Sequence, residues 1–109
     1  VTGIVTPSPA VSSDQDTDMQ IEVTLNGTIL TSVVGGATVP YFDAGPPPGV
    51  PIKFSCNAGD TGSVTQMDVN AVGDSPLSTP LSFTVPVIIP PPTAVPTTPG
   101  VPTITFTNP

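Results

Sequence analysis

The chain has 109 residues, with eight acidic side chains against a single basic one, Lys53, and a net charge of −7 at neutral pH. It has no histidine, no tryptophan and one cysteine, Cys56, so the groups most often used for acid–base, nucleophilic and phosphate-binding chemistry are nearly missing, and no enzyme is expected. Clustered Lys and Arg, which grip DNA, RNA and anionic lipid, are missing too, so the expected partners are proteins, with no nucleic acid, no membrane and no cofactor.

The length fits one domain, which folds alone only if most of its apolar residues share a core. Seventeen prolines and ten glycines make up about a quarter of the chain. Charged residues are only 8%, far below what solvated disorder carries, and threonine and serine fill the polar role. Those residues suit pleated, half-exposed surfaces, so a small β domain with proline-stiffened extensions is expected. The negative charge reads as a solubility device that discourages edge-to-edge pairing. The opening residues lack a basic region followed by an apolar stretch, so no signal peptide is expected, and no run reaches the ~18 apolar residues of a membrane helix.

The first feature in chain order is an acidic triplet, Asp14, Asp16 and Asp18, with the spacing that starts a calcium loop. An EF-hand would then need Gly and Glu where Met19 and Leu25 stand, so that motif is excluded. A looser calcium site, with Asp43 or Asp60 joining across the fold, is the alternative to a solvated acidic loop. The three aspartates are weak metal candidates, and no metal is expected.

Met19, Ile21, Val23 and Leu25 alternate with polar residues, the pattern of a half-buried strand, and Asn26-Gly27 follows at once. Both residues tolerate positive φ, as a two-residue hairpin turn requires. Folding about that turn sets Thr28 opposite Leu25, Leu30 opposite Val23, Ser32 opposite Ile21 and Val34 opposite Met19, with Gly35-Gly36 ending the second strand. Asn26-Gly27-Thr28 is also a glycosylation sequon, but the turn explains the Asn-Gly fully.

Tyr41-Phe42, beside Pro40, is a candidate sticky surface, since Tyr is favoured at interfaces; packing at a sheet edge is the plainer reading. After the proline-rich loop at 45–49, Val50, Ile52, Phe54 and Cys56 alternate as a one-faced strand. Cys56 in that run reads as a small buried hydrophobe, with an intermolecular bridge as the sharper alternative. Residues 57–62 are turn chemistry. Thr65, Met67, Val69 and Ala71 are then expected to face one way, and Gln66, Asp68 and Asn70 the other. Asp60, Asp68 and Asp74 make a weak paired-carboxylate site, because glycosidases also need aromatic platforms and a deep cleft. Leu81, Phe83, Val85 and Val87 form the next strand.

Beyond Val87 the composition shifts. Pro90-Pro91-Pro92, Pro96, Pro99 and Pro102 punctuate a charge-free stretch that favours extended polyproline II. It leads to Thr103, Ile104, Thr105, Phe106 and Thr107, a run with strong strand propensity and Ile104 and Phe106 on one face. The expected organisation is a β body over residues 1–87 and an arm over residues 88–109. The strand at the end of that arm is expected to pair with a neighbouring subunit or host protein and not with its own domain.

Residues 69–86 hold a strand, an Asn-containing turn, Ser75-Pro76 and a strand finishing in Pro86. This stretch resembles the closing hairpin of fibronectin type III and related immunoglobulin-like domains. Residues 21–28 look like the middle hairpin of the same family. The proportions also resemble small immunoglobulin-like proteins of tailed-phage virions, which decorate capsids or tails and grip neighbours with an extended arm. The resemblance implies an all-β, immunoglobulin-like antiparallel β-sandwich with a proline-rich C-terminal arm. It further implies a structural subunit of a virion, forming a homo-oligomer or larger assembly. The alternative is a fibronectin-III-like module of a bacterial surface or extracellular protein, with an adhesion or spacer role.

Overall fold

Asn26-Gly27 takes the tight turn expected of it. In the computed structural model Asn26 has φ 50° and Gly27 φ 80°, the positive values that a type I′ hairpin needs. The structure describes residues 1–8, 16–70, 73–74, 78–89 and 99–108, with the backbone alone at positions 16, 70 and 74.

Among the described residues every regular element is a strand. In chain order these are β1 (Thr2–Thr6), β2 (Asp16–Leu25), β3 (Thr28–Ile29), β4 (Ser32–Val34), β5 (Ala37–Val39) and β6 (Phe42–Asp43). They continue with β7 (Ile52–Ser55), β8 (Thr61–Asn70), β9 (Gly73–Asp74), β10 (Leu81–Thr84) and β11 (Thr103–Thr107). All pairings are antiparallel. One sheet has the order β11-β1-β7, and a larger one has β10-β8-β2-β3 with β6 on β2 and β9 on β8. A separate hairpin joins β4 to β5. Val5, Ile52 and Phe54 from the first sheet meet Met19, Ile21, Val23, Val64 and Phe83 from the second in one apolar core. This all-β arrangement is compatible with a β-sandwich.

Aromatic packing joins the two sheets. The Phe83 ring lies 5.9 Å from Phe54 and 5.7 Å from Phe106, centroid to centroid, tilted by 50° and 49°. Tilted pairs at such distances contribute roughly 0.5–1.5 kcal/mol each beyond the area they bury. Two glycines make room for the rings. Gly3 on β1 stands opposite Phe54, and a Cβ there would run into that ring. Gly62 on β8 stands opposite Phe83, and a Cβ there would meet the Thr24 carbonyl oxygen and come within 2.6 Å of the Phe83 ring.

The long hairpin ends earlier than its pattern suggests. Leu25 faces Thr28, and Leu30 N–H donates to Val23 O at 2.9 Å, as expected. Beyond Leu30 the expected register fails: Phe42 and not Ser32 stands opposite Ile21, and Asp43 faces Gln20. Phe42 packs against the core, and a ring there buries apolar surface that a serine could not. Gly35 and Gly36 both have positive φ and form a second hairpin turn, pairing Val34 with Ala37.

The facing of β8 is the reverse of the one expected. Val64, Gln66 and Asp68 are buried, and Thr65, Met67 and Val69 lie on the outer side. Cross-strand neighbours share a face, and these three stand opposite Val23, Ile21 and Met19, all fully buried. Gln66 is tolerated inside because its amide is fully engaged. Its Oε1 accepts from Ser8 N–H at 3.0 Å, and its Nε2 donates to Ser8 O and to Asp68 Oδ1, both at 2.7 Å. Two other apolar expectations also change. Val50 is exposed because β7 begins only at Ile52, and Val87 is 83% exposed because β10 ends before Pro86.

The strand at Thr103–Thr107 requires the main correction. It pairs with its own β1, from Thr2↔Thr107 to Thr6↔Thr103, where pairing with a neighbour is expected from the sequence. The reason is burial: Ile104 and Phe106 both pack against the core of their own domain, Phe106 within ring-contact distance of Phe83. Residues 90–98, which hold most of the expected polyproline stretch, lie outside the described residues.

Two glycine substitutions separate conformational from steric strain. Gly27→Val is expected to cost about 1–2 kcal/mol through positive φ alone, since nothing lies within 4 Å of its Cβ position. Gly62→Ala, with no positive φ, is expected to cost about 2–3 kcal/mol through overpacking against Thr24 and Phe83. Denaturant midpoints measure both, and an unchanged midpoint for Gly62→Ala would remove the ring-on-glycine packing.

Candidate functional site

The residues singled out from sequence fall in three places. The first is the outer side of the large sheet. Gln20 on β2 and Met67 on β8 are cross-strand partners there, and Glu22 follows on the same face. Pro40 and Tyr41 close over them, leaving a cleft of about 270 Å³ lined by Gln20, Glu22, Pro40, Tyr41 and Met67. Tyr41 and Phe42, considered as one sticky patch from sequence, part company here. Tyr41 lines the cleft, while Phe42 packs against the core. The Ser32 hydroxyl donates to Tyr41 O and so ties the β4–β5 hairpin to the rim. Met67 belongs to this cleft only because β8 turns its polar residues inward, so no apolar-face argument could have found it.

The second place is acidic. Asp18 on β2 and Asp43 on β6 bring their carboxyl groups into hydrogen-bond contact. Burial, followed by the hydrogen bond and repulsion from Asp43, pushes Asp18 up to about 6. Asp43 is held below its ordinary value because it accepts from Asp18, and its Oδ1 also accepts from Gly45 N–H at 2.9 Å. Of the other calcium candidates, Asp14 lies outside the described residues, and only the backbone of Asp16 is described. Asp60 sits in its own turn, accepting from Asn57 N–H at 2.8 Å, a bond that lowers its pKa. Among the described residues no group of three acidic or sulfur ligands gathers. Asp68, considered in a paired-carboxylate site, is buried beside Gln66.

The third place is the edge of the smaller sheet. Thr105 and Thr107 are exposed, and Thr103, Ile104 and Phe106 are half-buried. Among the described residues β11 has a single strand neighbour, β1, so one side of its backbone has no strand partner. Cys56 is buried, its thiol lies 3.5 Å from Val1 O, and burial raises its pKa. No family model matches the chain, and the searches of curated proteins and of solved structures return no match either.

The acid pair gives a prediction with a definite sign. Asp18 holds its proton more tightly in the folded chain than in the unfolded one. Its contribution is therefore full below the ordinary carboxylate value of 3.8 and is lost as pH rises through about 6. Asp43, shifted the other way, contributes fully above 3.8 and loses that contribution only as pH falls below it, so it leaves the slope above that value to Asp18. The thermal midpoint of the native chain is expected to fall between pH 4.5 and pH 7, while Asp18→Asn, whose amide donates at every pH, keeps a flatter profile. Parallel profiles for the two proteins would show that the carboxyl contact is not formed.

Proposed function

We propose that this chain is a non-enzymatic structural and interaction module, an immunoglobulin-like β-sandwich serving as a capsid or tail subunit of a tailed-phage virion. The observation that carries the reading is the edge strand β11. Sheet edges that must stay unpaired are blunted by charge or proline. Pro51 precedes β7 just as Pro102 precedes β11, so what distinguishes the two edges of the small sheet is Lys53 within β7. Residues 103–107 contain neither charge nor proline. An edge left open in this way suits a subunit held by neighbours, where a weak contact gains strength by repetition. Ile104 and Phe106 then serve the interaction indirectly: they anchor β11 to the core so that its outer side is presented rigidly.

The alternative, a fibronectin-III-like module of a surface or extracellular protein, uses residues after 87 as a spacer. The pairing of β11 with β1 favours the first reading, because a spacer gains nothing by returning to its own domain, here to the sheet opposite the one β10 belongs to. Antibody raised against the chain is expected to label purified virus particles from the source culture at many copies per particle. Labelling confined to the cell envelope or the medium would overturn the virion assignment.

A further inference from the structure

Residues 103–107 read Thr-Ile-Thr-Phe-Thr, which has the same pattern of residue classes from either end about Thr105. An antiparallel pairing of two such strands across a two-fold axis at Thr105 is self-complementary. Thr103 of one copy faces Thr107 of the other, Ile104 faces Phe106, and Thr105 faces its own counterpart. We propose that the β11 edge, which has no second strand neighbour among the described residues, pairs with a second copy of this chain in this register. The proposal rests on the interaction reading above and gives that surface its occupant.

Three observations support a second copy as the occupant. The first is charge. Like copies carrying −7 each repel, so they meet best where charge is least, and neither residues 1–8 nor residues 99–108 contain a charged side chain. The second is facing. Directly opposed residues in an antiparallel pair lie on the same face, so Ile104 and Phe106 of both copies fall on the core side and the exposed threonines on the other. The third is incomplete burial. Ile104 and Phe106 are only partly buried although both pack on the core, and a neighbouring strand would cover what is left. The result is a continuous sheet in the order β7-β1-β11-β11-β1-β7, closed by its two-fold axis and with no further β11 edge to offer.

Placing Thr105 on the axis makes the proposal testable by charge. Its side chain is exposed, so Thr105→Lys and Thr105→Glu are both expected to keep the native circular dichroism spectrum and thermal midpoint. Each would set two like charges face to face at the axis. By sedimentation equilibrium the native chain is expected to reach twice the chain mass as its concentration rises from micromolar to millimolar. Each variant alone is expected to stay at the single-chain mass, and an equimolar mixture of the two is expected to recover the double mass. A native chain that stays monomeric throughout overturns the proposal, as does a mixture that fails to recover. Neither result touches the virion reading, which particle labelling tests separately; labelling that fails while the dimer forms overturns that reading and leaves the pairing intact.

Discussion

The ring of Phe83 is the point on which the architecture turns. It comes from the large sheet and lies between two rings of the small one, Phe54 and Phe106, so a single side chain fixes the spacing of both sheets and the position of β11. Rings of that size fit so close to the backbone only where a strand has given up its side chain. Gly3 and Gly62 occupy those places, each directly opposite a phenylalanine. The rings are not the most buried part of the core: Val5, Met19, Ile21, Val23 and Val64 are fully buried, and the ring cluster packs beside them.

A polar contact does the corresponding work at the other end of the core. Gln66, 1% exposed, forms a two-way amide pair with the backbone of Ser8, whose oxygen also accepts from Gly100 N–H at 3.0 Å. The exit from β1 and the approach to β11 are thus held to β8 at one place. A buried amide with every bond made specifies register in a way an apolar side chain cannot, since sliding by one residue would leave donors and acceptors unpaired. The same inward turn of β8 sends Met67 outward and so produces the cleft beneath Tyr41.

Local chemistry was legible in the sequence; partnership across the fold was legible only in part. The Asn26-Gly27 turn, the inward face of β2 and the buried run at Ile52, Phe54 and Cys56 follow from period-two alternation and turn preference. Alternation misled at β8, where Met67 and Val69 outweigh Val64 by count. The true phase is set by opposing Met19, Ile21 and Val23, which only the pairing reveals. Choice of neighbour was hidden for the same reason: nothing local says that Phe42 displaces Ser32 beside Ile21, or that β11 returns to β1. The acidic contact was half visible, since Asp43 was a conceivable companion of Asp18, but its form as a proton-sharing pair needed the fold.

The pairing of Thr2 with Thr107 has a consequence for the making of the protein. Closing a loop of about a hundred residues costs roughly 4 kcal/mol in chain entropy, where the two-residue hairpins cost far less. At ordinary translation rates the ribosome needs roughly five to twenty seconds to travel from β1 to β11. Throughout that time β1 has no partner on one side, and Phe83, once made, lacks one of its two companion rings until Phe106 follows. A nascent chain is therefore most open to wrong pairing along β1, the strand that ends up most enclosed in the finished sheet.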